Sequence, residues 1–324
     1  MSSTSAPSFH VVLGAGQIGT QLAARLADPA RGGERRRVRL VRRGTITDLP
    51  TGVEAVAADL ADPVQAARAM EGATVAYHCV SPPYELWATQ LLKLTEGIIA
   101  GAREAKVERL VVLDNLYGYR DTARMNEDTP LAPESRKGEI RMRAAERLLA
   151  AELPVVIGRA SDFFGPFTPT AHFGERFYRR VFAGKPGECI GDPDMLHSYS
   201  YSPDVADGLA TLGLHERALE RTLWMLPVQP AESMRALAQR LGAALSREVR
   251  VTRVPKLVMR MIGLFAKPMA ELVEMTYQWE RPFIVDDARF RAAFGAAPTS
   301  WDDAAAATAQ WALATYGDAA RRAA

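Results

Sequence analysis

The chain has 324 residues, with 40 Lys and Arg against 38 Asp and Glu and a formal net charge of +2. This length can bury a full core and exceeds the usual size of one domain. The small net charge and the mixed signs argue against a dedicated nucleic-acid surface. Cys79 and Cys189 are too few for a disulfide framework and lack metal-ligand spacing, so no metal site is expected.

The first residues, MSSTSAPS, are polar and lack the apolar segment of a signal peptide. No apolar run approaches the length needed to cross a bilayer. We therefore expect a soluble cytoplasmic protein with a small-molecule substrate and with neither a membrane nor a nucleic acid as partner.

The stretch from Phe9 to Leu26 predicts a strand, a tight turn and a helix. Its glycines follow the spacing G-x-G-x-x-G, in which the first closes the turn, the second admits a pyrophosphate and the third lets the helix approach the strand. The helix start offers unpaired N–H groups to the phosphates. The residues predicted to contact a dinucleotide here are Gly14, Gly16, Gln17, Ile18 and Gly19. The alternative is a turn whose glycines serve only packing.

A second strand is predicted to end at Arg42, and the sequence continues as LVRRG without an acid. In dinucleotide-binding folds of this kind, an acid near this point holds the ribose 2′-hydroxyl of NAD, whereas arginine accommodates the 2′-phosphate of NADP. Guanidinium groups suit phosphate, so Arg42 and Arg43 favour NADP(H) over NAD(H). A solvated basic loop is the alternative, and it fits the arginines from Arg31 to Arg37 better.

Further strands are predicted at 53–57, 73–80, 107–113 and 153–158, and helices from Pro63, at 84–103 and at 138–152. This alternation predicts a parallel sheet covered on both faces. Asp59 follows the third strand at the sheet edge where ligands gather, and a loop cap is its alternative role.

After Pro166 the alternation stops. Helices are predicted at 170–182, from about 203, at 233–245 and over most of 256–279, and strands at 221–226 and 248–253. Methionines at helical spacing in 256–279 are predicted to fill the core. We predict a dinucleotide-binding domain at 1–166 and a mainly substrate-binding part at 167–324, with some segments returning to the first sheet.

Several short motifs follow the glycine turn in a fixed order. They are Asp59-Leu60, Tyr117-Gly118, the loop 126–131, Phe164-Gly165-Pro166 and the run 201–206. This order resembles the extended short-chain dehydrogenase/reductase superfamily, of the NAD-dependent epimerase/dehydratase type, over nearly the whole chain. The resemblance implies an α/β fold, a Rossmann doubly wound parallel sheet with a smaller mixed α/β C-terminal substrate-binding domain. It also implies cofactor contacts from Leu60, Val80 and Ser81.

The chain departs from this family at the catalytic pair. The family uses Tyr-x-x-x-Lys on the helix after the fifth strand, and alignment places Gly138 and Met142 at those positions. Leu13 stands where extended members usually have another glycine, and no serine or threonine ends the fifth strand. The standard tyrosine mechanism therefore cannot be carried over.

Carbonyl reduction still needs a hydride donor and a proton source. The predicted catalytic residues are Asn115, Tyr117 and Tyr199. Asn115 would hold a carbonyl and Tyr199 would donate a proton, whereas Tyr117 has a structural alternative. The resemblance places the run from His197 to Tyr201 on a loop over a substrate cleft between the domains. The predicted substrate contacts are His197, Tyr201 and Phe163.

These features predict an NADP(H)-dependent oxidoreductase of an atypical extended short-chain type, which transfers a hydride to or from a small carbonyl, imine or activated alkene. A non-catalytic NADP-binding sensor or scaffold is the alternative, and a sugar-nucleotide epimerase or dehydratase is a weaker one. The resemblance also suggests a homodimer through helices 84–103 and 138–152. Arg141, Arg143 and Arg147 would charge that face, so both oligomeric states stay open.

Overall fold

A computed structural model describes residues 8–33 and 36–321, with side chains everywhere in those ranges except at 267–269 and 318–321. The polar opening at 1–7 and Arg35 of the basic loop lie outside the described residues. The strands are β1 (Ser8–Leu13), β2 (Arg36–Arg42), β3 (Val53–Ala57), β4 (Val75–His78), β5 (Arg109–Asp114), β6 (Val155–Arg159), β7 (Asp162–Phe164), β8 (Gly187–Ile190), β9 (Leu196–His197), β10 (Tyr199–Tyr201), β11 (Leu223–Met225), β12 (Glu232–Ser233) and β13 (Val251–Val254).

The α-helices start close to their predicted positions in most cases. They are α1 (Gln17–Ala27), α2 (Pro63–Met70), α3 (Leu92–Glu104), α4 (Arg136–Leu149), α5 (Glu175–Phe182), α6 (Ser202–Leu214), α7 (Met234–Ala244), α8 (Lys256–Gly263), α9 (Lys267–Val273), α10 (Ala288–Phe294) and α11 (Trp301–Arg321). A 3₁₀ turn at Tyr84–Leu86 and a π-helical turn at Trp87–Leu91 precede α3, so the single helix predicted at 84–103 is wrong in its first part. Among the described residues, no helix combines the length and the apolar character that crossing a bilayer requires.

The chain divides into two compact units, and the first consists of residues 1–115, 139–159 and 206–224. Its seven-stranded sheet has the order β11-β6-β5-β4-β1-β2-β3. Strands β1 to β6 run parallel, so the predicted Rossmann sheet is confirmed. The strand order reverses beside β1, which is where open α/β sheets bind their ligands.

The core of the first unit explains this regularity. Side chains of β1, β4, β5 and β6 are buried between the flanking helices, and they include Val11, Ala76, Val112 and Ile157. Parallel strands covered on both faces require near-continuous apolar runs, and such runs are the pattern that the sequence shows.

The second unit consists of residues 116–138, 160–205 and 225–324. It is mixed α/β as predicted, but it is not smaller than the first unit, because segments 116–138 and 160–166 belong to it. Short two-stranded pairs, β7 with β10, β8 with β13 and β9 with β12, surround an aromatic core. The segments 116–138 and 160–166 group here, although the predicted boundary at 166 assigns them to the first domain. The segment 206–224 returns to the first unit and adds β11 to its sheet.

Two predicted helices have different ends in the structure. The helix predicted at 170–182 begins only at Glu175, because turns occupy the residues before it. Helix α4 begins at Arg136 and ends at Leu149 instead of spanning the predicted 138–152, and the side chain of Leu149 is exposed. Arg141 points inward instead of toward the charged face, and Arg147 pairs with Glu96.

Candidate functional site

The glycine turn of the first unit has the geometry that its spacing predicts. Gly14 has a φ of +114°, which L side chains rarely adopt, and its N–H donates to the Val41 carbonyl at 2.8 Å. A Cβ at Gly14 would lie 2.8 Å from the Val80 backbone. The turn therefore closes tightly against the end of β4, and only glycine fits there.

The other two glycines of the motif differ in the space around them. A Cβ at Gly19 would lie 1.9 Å from the Gly14 carbonyl oxygen, so α1 packs directly on the turn. A Cβ at Gly16 would meet nothing within 4 Å, so the backbone is open at the helix start. The first turn of α1 contains no acid and Gly16 provides no side-chain cap. An open, uncapped helix N-terminus fits a pyrophosphate.

The remaining predicted residues at this helix have separate places. Gln17 is half-buried at the first position of α1, whereas Ile18 is buried in the core. Contact of Ile18 with a phosphate would therefore come from its backbone. The same holds for Leu60, whose buried side chain packs in the core of the first unit.

The ends of β2 and β3 present charged side chains to solvent. Arg42 and Arg43 are exposed, and the Arg42 carbonyl accepts the Ala58 N–H at 3.0 Å. Asp59 is exposed too, and its carboxylate accepts the Ala61 N–H at 3.1 Å. The loop-cap role that the sequence left open for Asp59 is thus present in the structure.

The end of β4 lies against the glycine turn. Val80 is half-buried and packs on the core, and it is the residue that a Cβ at Gly14 would strike. Ser81 follows it and is exposed. Both residues therefore flank the predicted cofactor turn.

A buried charge cluster, which sequence reasoning missed, lies at the end of β5. Asp114 lies in the region where the sequence lacks the family's serine or threonine, and it pairs with Arg141 Nε and Arg159 Nε, each at 3.0 Å. All three side chains are largely buried. Burial and the Arg141 charge lower the pKa of nearby His78 to about 3, so that imidazole is neutral. Asn115 follows the cluster and is half-buried.

In the second unit, the structure leaves no room for a side chain at Gly138, where the sequence alignment expects the family's tyrosine. A Cβ at Gly138 would lie 2.2 Å from the Tyr117 carbonyl oxygen and 2.9 Å from Pro133. No side chain can start there without displacing the backbone. The Gly138 N–H donates to Ser135 Oγ at 3.0 Å, which fixes this helix start. Tyr117 itself is half-buried, and its backbone carbonyl forms the floor of the position.

A different phenol occupies the surroundings of Gly138. Tyr277 Oη donates to the Tyr117 carbonyl at 3.4 Å and is also hydrogen-bonded to Ser135. Burial raises the pKa of Tyr277 to about 12, against the opposing effects of Ser135 and Arg281. The phenol is therefore protonated at neutral pH and half-buried rather than enclosed. No pattern in the sequence links this residue to Gly138.

Lys137, adjacent to the closed position, is buried instead of solvated as its loop would suggest. Its ammonium group contacts Glu274 Oε1 at 2.7 Å, the Glu271 carbonyl at 3.0 Å and the Glu271 carboxylate. A buried lysine needs such partners, and these contacts direct it toward α9.

The prediction that His197, Tyr199 and Tyr201 lie on an overlying loop is wrong. They lie on β9 and β10, and all three are buried. Residues 199 and 201 face the same side of a strand and fill the aromatic core, where Tyr201 packs on Phe164 at 5.3 Å between ring centroids. Phe163 is half-buried on the neighbouring strand β7.

Tyr199 and His197 are enclosed by neighbours of the second unit. Tyr199 is 1% exposed, and burial raises the pKa of its phenol well above 10. This enclosure contradicts the predicted role as a proton donor, because no substrate can reach the hydroxyl in this packing. His197 lies between Asp162 Oδ2, 3.0 Å from Nε2, and the Gln278 carbonyl, 3.2 Å from Nδ1. Within the described ranges, His, Cys, Asp and Glu side chains form no group of three suited to a metal ion.

Comparisons with known proteins agree with this architecture. Residues 10–222 match the family described as the NAD dependent epimerase/dehydratase family. The chain is 28% identical over 171 residues to the uncharacterized protein y4nL of Sinorhizobium fredii. This alignment covers 50% of the chain and 47% of that protein. It is 26% identical over 263 residues to a 3beta-hydroxysteroid-dehydrogenase/decarboxylase, isoform 2, of Arabidopsis thaliana, covering 71% of the chain and 43% of that protein. The matches thus span less than half the length of these curated relatives.

Among solved structures, the chain resembles a UDP-glucuronic acid 4-epimerase from Bacillus cereus in complex with NAD. The TM-score is 0.76 at 15% identity, and the similarity covers 96% of this chain and 99% of that one. At this identity the likeness shows the shared fold.

Proposed function

The chain belongs to the NAD dependent epimerase/dehydratase family, and from this membership we propose that it is an NADP(H)-dependent oxidoreductase that acts on a small carbonyl, imine or activated alkene. The observation that carries the proposal is the glycine turn, in which an open Gly16 backbone and an uncapped helix start are held by the close approach of Gly14 and Gly19. The residues present fit a dinucleotide, which when bound in its reduced form supplies a hydride.

The choice of NADP(H) follows from the end of β2. Arg42 and Arg43 are exposed there, and the strand end lacks the acid that would hold the ribose of NAD. The Bacillus cereus epimerase contains NAD, so cofactor choice is the point at which this chain would differ from that protein. The proposal assigns the 2′-phosphate to these two guanidinium groups.

The cofactor proposal is tested by titrating NADPH and NADH while following their fluorescence. We expect NADPH to bind more tightly, and the double variant Arg42→Ala/Arg43→Ala to lose about 10- to 100-fold in NADPH affinity, since hydrogen bonds to charged groups contribute about 1.5–3 kcal/mol. NADH affinity should stay within about twofold. Arg31→Ala, on the same basic stretch, is the matched control. Equal losses for both cofactors, or no loss, would contradict the assignment.

For the proton we propose Tyr277 in place of the missing tyrosine. Its phenol is protonated, half-buried and hydrogen-bonded beside the closed Gly138 position. A bound reduced dinucleotide would supply the hydride to the substrate carbonyl carbon, and Tyr277 would donate its proton to the carbonyl oxygen. The products would be an alcohol and the oxidised dinucleotide, and the Tyr277 phenolate would regain its proton from water.

The test of catalysis is steady-state NADPH oxidation against a panel of ketones, enones and imines, with UDP-sugars included for the epimerase alternative. Tyr277→Phe should lower kcat by about 10²–10⁴-fold, the usual contribution of a positioned acid, with little change in KM or NADPH affinity. The matched control is Tyr316→Phe on α11, which should leave kcat unchanged. Full activity of Tyr277→Phe would remove Tyr277 from the mechanism and leave the cofactor proposal intact.

A second candidate function is a non-catalytic dinucleotide-binding sensor, which the closed Gly138 position favours. Binding of NADPH without turnover across the whole panel would support the sensor and exclude the oxidoreductase. Turnover of any substrate would exclude the sensor.

A further inference from the structure

An outward apolar stripe lies on α8 and the residues directly after it. Leu257 and Met261 are 67% and 54% exposed, and Leu264 and Phe265 are 79% and 93% exposed. Leu257 and Met261 are four residues apart on α8 and share one of its faces, and Leu264 and Phe265 follow in the turn after Gly263. We call these four exposed residues the apolar stripe. The opposite side of α8 anchors it, because Met259 is buried.

The sequence around the apolar stripe is basic. The 22 residues from 249 to 270 contain no Asp or Glu, and their basic residues are Arg250, Arg253, Lys256, Arg260 and Lys267. Lys256 and Arg260 are themselves four residues apart and each precedes a stripe residue. Lys256 Nζ contacts Glu280 at 3.2 Å, whereas Arg260 is exposed. Arg260 is therefore an exposed cation beside the apolar stripe, whereas Lys256 is paired with a carboxylate.

We propose that this face of the second unit binds the surface of an anionic lipid membrane. A helix that lies in the membrane interface has an apolar face that enters the acyl boundary and cations that meet the anionic headgroups. The apolar stripe supplies the first, and the exposed Arg260 supplies the second. A phenylalanine that is almost fully exposed beside an exposed leucine is unusual for a surface that only water covers.

This inference is independent of the cofactor and of the reaction. The sequence-based expectation of no membrane partner considered only segments long enough to cross a bilayer. An interfacial helix does not need that length, because its axis lies in the plane of the membrane. Charge separates this occupant from a second copy of the chain: pairing two such faces would bring Arg260 of each copy near the other, whereas anionic lipid attracts both.

The test is sedimentation of the full chain with vesicles of phosphatidylcholine alone and of phosphatidylcholine with phosphatidylserine. We expect binding to the vesicles that contain phosphatidylserine and weak binding to the neutral ones. The double variant Leu264→Ser/Phe265→Ser should lower the partition coefficient at least about tenfold, because it removes two side chains that enter the lipid. Arg260→Gln should lower it about fivefold on anionic vesicles only, and added salt should have the same effect.

The matched control is Leu149→Ser/Leu313→Ser, which replaces two exposed leucines on α4 and α11. The control should bind vesicles like the unmodified chain, and all variants should keep the same thermal unfolding midpoint and NADPH affinity. Failure of the unmodified chain to bind anionic vesicles would overturn the proposal, as would equal losses in the stripe and control variants. Vesicle-free self-association in sedimentation velocity that Leu264→Ser/Phe265→Ser abolishes would also overturn it, since the occupant would then be a second copy.

Discussion

Two glycines with almost the same surroundings, Gly19 and Gly138, have opposite consequences. A Cβ at Gly19 would lie 1.9 Å from a backbone oxygen, and one at Gly138 would lie 2.2 Å from another. At Gly19 the close approach brings α1 onto the glycine turn, the predicted cofactor site. At Gly138 the close approach fills the position at which the sequence predicts the loss of the family's tyrosine. Close backbone packing thus supports the predicted site in the first unit and leaves no room for a side chain at the corresponding position in the second.

The strongest way to test this comparison is Gly19→Ala. The new methyl group would force α1 away from the turn, so we expect the free energy of unfolding to fall by about 3 kcal/mol. We also expect the variant to lose dinucleotide binding. Gly16→Ala is the matched control, because its Cβ meets nothing. That variant should keep its stability and lose only dinucleotide affinity, since the methyl group would occupy the approach to the phosphates. Urea unfolding and fluorescence titration measure the two effects. Equal stability of the two variants would break the comparison.

The corresponding test in the second unit is Gly138→Ala, for which we expect a smaller loss of about 2 kcal/mol in unfolding free energy. Part of this clash involves the Pro133 side chain, which can yield more readily than backbone. Gly44→Ala, where a Cβ has open space, is the control and should change stability by less than about 0.5 kcal/mol. The variant Gly138→Tyr/Met142→Lys should lose stability and gain no NADPH-dependent activity. A stable and more active variant would show that the position is open.

Histidine provides the smallest contrast between the units. In the first unit, burial lowers the pKa of His10 to about 4, with Arg36 and Arg109 adding to the effect. In the second unit burial raises the pKa of Asp162, but the combined effects of His197, His172 and Trp279 outweigh burial and lower it. The unfolded chain binds a proton at His10 near pH 6.5 and the folded chain does not. The folded protein therefore keeps its full stability with respect to His10 above pH 6.5. It loses this contribution as the pH falls toward 4, because the unfolded state then gains a proton that the folded state does not bind.

At pH 5.5 the lowered pKa of His10 reduces the free energy of unfolding by about 1 kcal/mol relative to neutral pH. Urea unfolding at pH 7.5 and 5.5 should show that the free energy of unfolding falls less between these pH values in His10→Gln than in the unmodified chain. Glutamine can still hydrogen-bond to Tyr77 Oη, which lies 3.0 Å from His10 Nδ1. An identical pH dependence of the two chains would contradict the assignment.

The fold of the first unit is readable from the sequence because its signals are local. Strand β3 has its predicted ends, and Asp62 caps α2 through the N–H groups of Val64 and Gln65 as its Asp-Pro pair indicates. The glycine turn is local too. Its three glycines lie within six residues, and the closest approach at Gly19 is to the Gly14 carbonyl oxygen within the same turn.

The contacts around Gly138 could not be predicted because they join distant parts of the chain. Lys137 meets Glu274 across 137 residues, and Tyr277 meets the Tyr117 carbonyl across 160. No periodicity or spacing connects such positions. The strands of the second unit are two to four residues long, too short for a pattern, so His197 and Tyr199 resembled loop residues.

Exposure was the other quantity that the sequence could not supply. The methionines at 256–279 have helical spacing whichever side of the helix meets the protein. The structure buries Met259 and Met275, as predicted, and exposes Met261, which that prediction assigned to the core. Periodicity identifies a face but leaves open whether protein or another medium covers it.

The return of segment 206–224 to the first sheet has a practical consequence for dissecting the protein. Strand β11 lies beside β6 at the end of the sheet. A fragment that stops at residue 166 would lack this neighbour and leave the hydrogen-bonding edge of β6 bare, and bare edges recruit strands from other molecules. Such a fragment would aggregate rather than fold as an isolated nucleotide-binding half, whereas joining 1–166 to 206–224 through a short linker would shield that edge.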